Sequence, residues 1–194
     1  LLQDGPGATE IAQQVHPFGQ LNRTCSPSVI EQGDLDRLAR RIHRNHATSR
    51  LAQEHSPDDP SLKPWDDLDP SLRDSNRHQA DHIPVKLRAV GCRLEPSGSD
   101  LPSVTQFKDT EVTLLAAMEH DRWNAERFLD GWRFAEEKDI DRKASPYLVP
   151  WEELPPDIQD YDIKAVDAIP DLAAAMDMKV CRCDSRTPAN RSTG

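Results

Sequence analysis

The sequence S-P-Y-L-V-P-W-E-E-L-P-P-D-I-Q-D-Y-D-I-K-A-V-D-A-I-P, from Ser145 to Pro170, decides the fold because most of it occurs twice. The earlier copy, P-S-L-K-P-W-D-D-L-D-P-S-L-R-D-S-N-R-H-Q-A-D-H-I-P, runs from Pro60 to Pro84. At an offset of 86 residues the copies share 10 identities in 25 aligned positions, where ordinary residue frequencies give about one or two. The repeat therefore predicts two small halves packed on each other. Its anchors are Pro64, Trp65 and Pro84 in one copy and Pro150, Trp151 and Pro170 in the other.

Composition excludes several classes of protein. The chain has 194 residues and a formal charge of −10, which argues against a nucleic acid or an anionic membrane as partner, since both select basic patches. No apolar run approaches the ~20 residues of a membrane span. The hydrophobic content of 36% with four Trp predicts a modest core with heavy anchors. Four Cys without a disulfide framework favour a reduced, cytoplasmic compartment.

Proline and glycine punctuation divides the chain into five segments. Residues 1–33 are predicted to be a connector or arm that joins the body to a preceding domain. Residues 34–94 form a first repeat, 95–110 a linker, 111–180 a second repeat and 181–194 a polar tail. Residue 1 is Leu rather than Met, so we expect this chain to be a piece of a longer protein with an upstream domain.

Apolar periodicity predicts helices in both repeats and hence a mainly α fold. The first helix begins near Asp34 and ends before Pro60. The second repeat has a stronger helix that ends at Gly131, a C-terminal cap that lets Trp132 fold back over the last turn. The predicted inward stripes are Leu35, Leu38, Ile42 and Leu51 in the first helix, and Leu114, Met118, Ala125, Leu129 and Trp132 in the second.

Pro84 and Pro170 are each predicted to open a further helix, because the first turn tolerates a missing N–H. Gly91 is predicted to end the helix that begins at Pro84. Aligning the first helices of the two repeats pairs His43 with His120 at an offset of 77. The loop after the first helix is therefore 9 residues shorter in the first repeat (86 − 77).

Four motifs together resemble the ryanodine-receptor repeat (RyR) domain: E-H-D-R-W from Glu119, G-W-R-F from Gly131, S-P-Y-L-V-P-W-E-E-L from Ser145 and I-P-D-L from Ile169. The resemblance covers residues 111–178 well and 34–94 less well, through H-R-N-H and L-K-P-W-D-D-L. Ala135 stands where the family usually has Gly, and the first copy lacks the Gly-Trp step. The resemblance implies two tandem, pseudo-twofold-related helical repeats of RyR type, with very short β strands.

The resemblance also implies a function. In bacteria, such modules resemble the C-terminal partners of Trk-type nucleotide-binding domains associated with potassium transport. We therefore expect a non-enzymatic regulatory, ligand-sensing module that acts with an upstream domain of the same polypeptide. NAD or a related nucleotide would bind that upstream domain, because no G-x-G-x-x-G motif follows a strand here. No cofactor is predicted for this chain itself.

If this chain binds a ligand, we expect a small anionic or nucleotide-like molecule near the His and Arg residues that occur at matched positions of the two repeats. Arg can grip a carboxylate or phosphate, and His can exchange protons near neutral pH. No Ser, Cys or second acid repeats beside them to complete a catalytic set, so a structural His bonded to backbone is the alternative. The candidate ligand residues are His43, Arg50, His120, Trp123, Arg127 and Trp132. Trp65 and Trp151 are predicted core anchors, with the wall of a ligand cleft as the alternative.

Two other functions are compatible with the sequence. The chain could be an interaction scaffold or, less favoured, an enzyme that uses His120 and Arg127. A homo-oligomer is compatible with both functions. No metal site is predicted, because Cys181-x-Cys183 is tighter than zinc spacing and His46, a candidate ligand beside His43 and Cys25, aligns with Trp123. A basic strip is either a solvated face or a docking surface for an acidic partner. It comprises Arg37, Arg40, Arg41 and Arg44.

Overall fold

The computed structural model describes residues 34–52 and 59–183. The predicted connector, Cys25 and the predicted tail beyond residue 183 lie outside the described residues. From Arg37 onward the described residues belong to one compact unit. Residues up to Asp36 belong to a separate unit, of which only the start of one helix is described.

The fold is mainly α with short strands, as the sequence predicts. The α-helices are α1 (Asp34–Ala52), α2 (Pro70–Ala89), α3 (Asp109–Leu129), α4 (Pro156–Asp167) and α5 (Ile169–Ala174). The strands are β1 (Cys92–Pro96), β2 (Arg133–Phe134), β3 (Ala144–Ser145) and β4 (Met178–Arg182). Single turns of 3-10 helix span Pro60–Leu62, Trp65–Asp67 and Trp151–Glu153. In the described ranges, no helix combines the length and apolar character needed to cross a bilayer.

The pairing of β1 with β4 relates the two repeats by a pseudo-twofold axis. The strands are antiparallel, and Leu94 lies opposite Val180, its own counterpart at the offset of 86. Cys92 lies opposite Arg182, and Pro96 lies opposite Met178, so the ends of the two strands are exchanged. An antiparallel pair in which a residue meets its counterpart has a local two-fold axis between those two residues. The axis therefore passes between Leu94 and Val180.

The turns that lead into these strands match as well. Gly91 has φ of +64°, and Asp177, its counterpart 86 residues later, has φ of +56°. Glycine adopts this left-handed conformation without steric cost, and Asp is one of the few other residues that tolerate it. The sequence correctly predicts that Gly91 ends its helix, but it does not predict the equivalent role of Asp177, because no glycine stands at that position.

The prediction that Pro84 opens a separate helix is wrong. Pro84 lies inside α2, which continues to Ala89. Its side chain is exposed, and α2 continues past it with the loss of the one backbone hydrogen bond that the missing N–H would donate. In the second repeat the chain does break: α4 ends at Asp167, and α5 begins at Ile169 with Pro170 in its first turn.

The core joins both repeats, but the predicted apolar stripe of α3 is not its inner face. Leu114 and Leu129 are 47% and 90% exposed. The buried face of α3 instead comprises Leu115, Ala116, Glu119 and His120. Hydrophobic periodicity treats Glu119 and His120 as polar and therefore predicts the wrong inner face. Both side chains are buried because Lys86 binds Glu119 and Asp162 contacts His120. Leu51, predicted inward on α1, is also 51% exposed.

The segment predicted as a linker is partly structural. The strand β1 extends into it, Phe107 is buried, and the N–H of Val104 donates to the carbonyl of Val180 at 2.7 Å. The predicted tail is likewise wrong at its start, because Cys181 is fully buried within β4. Both segments are polar in sequence, yet the β1–β4 pairing holds them against the core.

Glu111 and Arg182 tie the start of α3 to the end of β4. Arg182 Nη1 and Nη2 donate to the two carboxylate oxygens of Glu111 at 2.6 and 2.8 Å. These bonds, with the N–H of Lys108, lower the pKa of Glu111 from 4.5 to about 2. A lowered pKa stabilises the fold above the unfolded value, and this contribution disappears as the pH falls through the folded value.

We therefore expect Glu111→Gln to flatten the acid limb of the stability curve. The wild-type free energy of unfolding should fall between about pH 5 and pH 2, and this fall should be smaller in the variant because no carboxylate titrates. Urea unfolding across this range measures it. Arg182→Gln should give the same flattening, and acid limbs identical to that of the wild type would contradict the role of this pair.

Gly91→Ala tests the positive φ at the end of α2. No atom lies within 4 Å of the place that a Cβ would take, so the expected loss of about 1 kcal/mol in unfolding free energy comes from backbone strain alone. Gly98→Ala is the matched control, since that site is equally open and is not among the positive-φ glycines. Chemical denaturation that shows equal stability for the two variants would refute the strain argument.

Candidate functional site

Three of the predicted ligand residues lie along one face of α3. His120, Trp123 and Arg127 are spaced by three and four residues, which places them on neighbouring turns. The His120 ring stacks on Trp123, with centroids 5.8 Å apart and an interplanar angle of 23°. The Arg127 guanidinium lies 5.6 Å from the Trp123 ring and 5.1 Å from the Trp132 ring. The four side chains form a continuous row, which we call the indole–guanidinium row.

The end of α3 brings Trp132 into this row. Gly131 has φ of +82°, and the N–H groups of Gly131 and Trp132 bond the carbonyls of Phe128 and Arg127 at 3.0 and 2.9 Å. This is the hydrogen-bond pattern of a Schellman cap. The prediction that Gly131 caps the helix and lets Trp132 fold back is confirmed.

Asp130 fixes the outer end of the row. It accepts from Trp132 Nε1 at 3.0 Å and from Lys143 Nζ at 2.9 Å, and its carbonyl accepts from Lys143 at 2.7 Å. The hydrogen bonds from Lys143 and Trp132 lower the pKa of the Asp130 carboxyl. The longer loop of the second repeat is thus tied to α3 by Lys143, whose φ of +50° is unusual for a residue with a side chain.

His120 is held at both ring nitrogens. Its Nε2 lies 2.8 Å from the carbonyl oxygen of Val149, and its Nδ1 lies 3.5 Å from Asp162 Oδ2. Burial alone lowers the pKa of His120, but the hydrogen bonds to Asp162 and Val149 outweigh burial and raise it. Burial raises the pKa of Asp162, and the bond with His120 opposes that rise. Protonated His120 can donate to both acceptors at once.

The first repeat reproduces the contacts of the buried His with a backbone carbonyl and with the Trp of the 3-10 turn. His43 Nε2 lies 2.8 Å from the carbonyl of Lys63, and Lys63 is the counterpart of Val149 at the offset of 86. The His43 and Trp65 rings are 6.0 Å apart at 57°, whereas those of His120 and Trp151 are 6.3 Å apart at 56°. The same His–carbonyl bond therefore fixes the same Trp-containing turn in both repeats.

The contacts of the Arg at the end of the first helix differ between the repeats. Arg50 lies 5.4 Å over the ring of Tyr161, donates to its hydroxyl at 3.0 Å and pairs with Asp59 at 3.5 Å. Arg50 therefore contacts the second repeat instead of an indole. His46 stands where the second repeat has Trp123, so the first repeat has no equivalent row. The structure brings His120, Trp123, Arg127 and Trp132 together and leaves His43 and Arg50 in separate contacts.

The predicted Trp anchors have different surroundings. Trp65 is 8% exposed and packs with Ala39 and Leu68 in a small core of its own. The guanidinium groups of Arg40 and Arg77 lie 5.2 and 5.7 Å from its ring. Trp151 is half-buried and packs against the main core.

The predicted basic strip is an exposed face of α1, but it is not uniformly free. Arg40 pairs with Asp66 at 3.1 Å, and Arg37 donates to the carbonyl of Ala175 at 3.3 Å. Within residues 34–52 and 59–183, no cluster of three or more His, Cys, Asp or Glu is arranged to hold a metal ion.

Unpartnered atoms occur at the row and at its counterpart. Among the described residues, the buried Nε atoms of Arg127 and Arg50 and the buried Oδ1 of Asn124 have no hydrogen-bond partner. A guanidinium between two indoles offers flat apolar faces beside N–H donors. This combination suits a ligand that carries both an aromatic ring and an anionic group.

Comparison with known proteins finds a family match for the second repeat. Residues 100–182 match the RyR domain family. The chain contains an RyR domain. No curated protein matches the chain.

The RyR domain contains the whole indole–guanidinium row, together with β4 and the Trp151 turn. The first repeat, residues 34–94, lies outside the matched range. Its relation to the RyR domain rests on the identities at an offset of 86 residues and on the His–carbonyl hydrogen bond that both repeats have. The match therefore confirms the family predicted from the four motifs of the second copy.

Sequence reasoning missed three residues that shape the site. Asp162 and Tyr161 lie on α4 and reach His120 and Arg50, and Lys143 lies in the long loop and reaches Asp130. No spacing in the sequence marks them, because each comes from a different element than the residue it contacts. The one available signal was asymmetry: the first copy has Asn76 and Ser75 at the positions of Asp162 and Tyr161.

We expect the stability of the chain to depend on the protonation of His120. Because the folded pKa is raised, the stabilisation is complete below the unfolded pKa of about 6.5 and is lost as the pH rises through the folded value. His120→Gln should remove this part of the decline, measured by urea unfolding between about pH 5 and pH 9.

His43→Gln is the matched control, since His43 makes the same carbonyl contact in the first repeat. It leaves the His120–Asp162 contact in place, so the part of the decline that His120→Gln removes should remain. A wild-type decline that His120→Gln leaves unchanged would show that the Asp162 contact does not stabilise charged His120.

Proposed function

We propose that this chain is a non-enzymatic regulatory module that senses a small ligand through the indole–guanidinium row. The observation that carries the proposal is the position of Arg127, 5.6 and 5.1 Å from two indole rings, with an unpartnered buried Nε. Aromatic walls with few convergent polar groups are typical of small-molecule sites. The ligand class that fits is anionic and aromatic, as in a nucleotide.

The non-enzymatic reading is supported by the contacts of His120. Both ring nitrogens are engaged, by Val149 and Asp162, and the residue is 2% exposed. A general acid or base must reach the proton that it transfers. His120 acts in this proposal as the support on which Trp123 stacks, and Arg127 acts as the anion-binding group.

We further propose that the module works as the C-terminal part of a larger protein with a Trk-type nucleotide-binding domain, linked to potassium transport in bacteria. The RyR domain of residues 100–182 supports this context by family resemblance alone. In this proposal an upstream domain binds NAD or a related nucleotide, and the RyR domain responds to a separate ligand in the cytoplasm.

A protein–protein interaction scaffold is the second candidate, and exposed apolar side chains favour it. Phe128 and Phe134 are each 55% exposed, Leu129 is 90% exposed, and Ile140 is 64% exposed. They lie at the end of α3 and in the loop that follows. Single exposed apolar residues are common on soluble proteins, so this candidate rests on their number in one short stretch.

A thermal-shift screen with NAD, ATP and inorganic phosphate tests the sensing role. A ligand at 100 times its Kd should raise the melting temperature by about 5–10 °C. Arg127→Ala should abolish the shift, because it removes the guanidinium between the indoles. Arg142→Ala is the matched control, since its side chain is 80% exposed, and it should keep the shift.

The outcomes separate the candidates. A shift that Arg127→Ala leaves intact would place the ligand elsewhere and refute the proposed site. No shift with any probe would contradict ligand sensing of this class and favour the scaffold.

A further inference from the structure

A buried ion pair crosses the interface between the two repeats. Lys86, on α2 of the first repeat, is 1% exposed, and it donates to Glu119 on α3 of the second repeat, which is 3% exposed. Arg122 donates to the other carboxylate oxygen of Glu119 at 2.8 Å and to Glu126 at 2.6 Å. Lys86 therefore depends on a partner from the other repeat, whereas Glu119 has a second cation in its own repeat.

The pseudo-twofold axis gives this pair an apolar counterpart. Lys86 corresponds to Leu172 at the offset of 86, and Glu119 corresponds to Ile42 at the offset of 77. Leu172 and Ile42 are 3% and 5% exposed and belong to the same core. The interface thus has a Leu and an Ile at the positions that match a Lys and a Glu across the axis.

A small cavity lies at this interface, with residues of both repeats in its wall. Its volume is about 10 Å³, close to the minimum for a single water molecule. Three pairs of counterparts contribute to its wall, together with Glu119 and Val166. The pairs are Gln79 and Ala165, Ile83 and Ile169, and Lys86 and Leu172.

Stability alone does not explain why one side of the axis is ionic. Replacing a buried ion pair with apolar residues of similar volume is often neutral or stabilising, because desolvation offsets the Coulomb attraction. The counterpart positions demonstrate that Leu and Ile fit this interface. What the ion pair adds is a penalty for any arrangement in which Lys86 or Glu119 meets the wrong partner.

Two like repeats would create such an arrangement. If two first repeats paired between chains, Lys86 would face Ile42, and its ammonium would be buried without a carboxylate. If two second repeats paired, Glu119 would face Leu172, and only Arg122 would remain to bind its carboxylate. Pairing of a first repeat with a second repeat is the arrangement that satisfies both charges.

We propose that the Lys86–Glu119 pair specifies which repeats associate. It favours packing of a first repeat against a second repeat and disfavours packing of two like repeats from different chains. Tandem repeats with similar interfaces are prone to exchange between molecules. The ion pair removes the equivalence of the two interfaces and keeps the chain closed on itself. This specificity is independent of any ligand.

The test uses two single variants of the 194-residue chain, Lys86→Leu and Glu119→Ile, which convert each residue to its counterpart. Glu119→Ile should lose about 10 °C in melting temperature, because Lys86 is then buried without a carboxylate. Lys86→Leu should lose less, because Arg122 still binds Glu119. The double variant should regain most of this loss, since all four positions are then apolar. Differential scanning calorimetry measures the three values.

Mixing the two single variants in denaturant and refolding them together tests the selection of partners directly. Exchange of repeats would bring the two substituted, apolar positions together in one interface and would join Lys86 with Glu119 in the other. Both interfaces of a heterodimer would therefore match. We expect a 1:1 heterodimer by native mass spectrometry, whereas co-refolded wild type stays monomeric. The readout also works if each single variant fails to fold alone.

Ile42→Ala and Leu172→Ala are the matched control pair, because they weaken the counterpart positions without changing charge. Their co-refolded mixture should contain no excess of heterodimer over homodimer. A mixture of Lys86→Leu and Glu119→Ile that yields only the separate single variants would overturn the proposal. A double variant no more stable than the weaker single variant would overturn it as well.

Discussion

The antiparallel pairing of β1 with β4 is the constraint on which the rest of the molecule depends. Because Leu94 meets its own counterpart Val180, the two repeats must face each other around one axis. Helices α2 and α4–α5 then approach across that axis and form a core from matched residues of both halves. The larger core cluster therefore takes residues from both repeats, whereas the small cluster around Trp65 belongs to the first repeat alone.

Within each repeat, one hydrogen bond from a buried His fixes the position of the Trp-containing turn. His43 reaches Lys63, and His120 reaches Val149, both at 2.8 Å. The turn carries Trp65 or Trp151 against the first helix of its repeat. In the second repeat the same His also supports Trp123, so a structural hydrogen bond becomes the base of the indole–guanidinium row. The scaffold that both repeats share thus carries a row of side chains that the described part of the first repeat lacks.

The two repeats differ in two groups of side chains. Trp123 and Trp132 lie beside Arg127 in the second repeat, whereas the first repeat has His46 at the position of Trp123 and directs Arg50 to Tyr161. Lys86 and Glu119 make one side of the interface ionic, and Leu172 and Ile42 make the other side apolar. A pseudo-symmetric fold therefore carries an asymmetric charge pattern at the interface between its repeats.

The sequence by itself determined the repeat, its offset, the helical class, the RyR family and the glycines at the ends of α2 and α3. These features are local or arise from comparing one part of the chain with another, so spacing and identity are enough to find them. Only the tertiary structure decided the inner face of α3, the continuity of α2 through Pro84 and the strand that contains Cys181. The reason is physical: Glu119 and His120 are buried because Lys86, Arg122 and Asp162 come from other turns and elements to satisfy them, and hydrophobic periodicity contains no information about such partners.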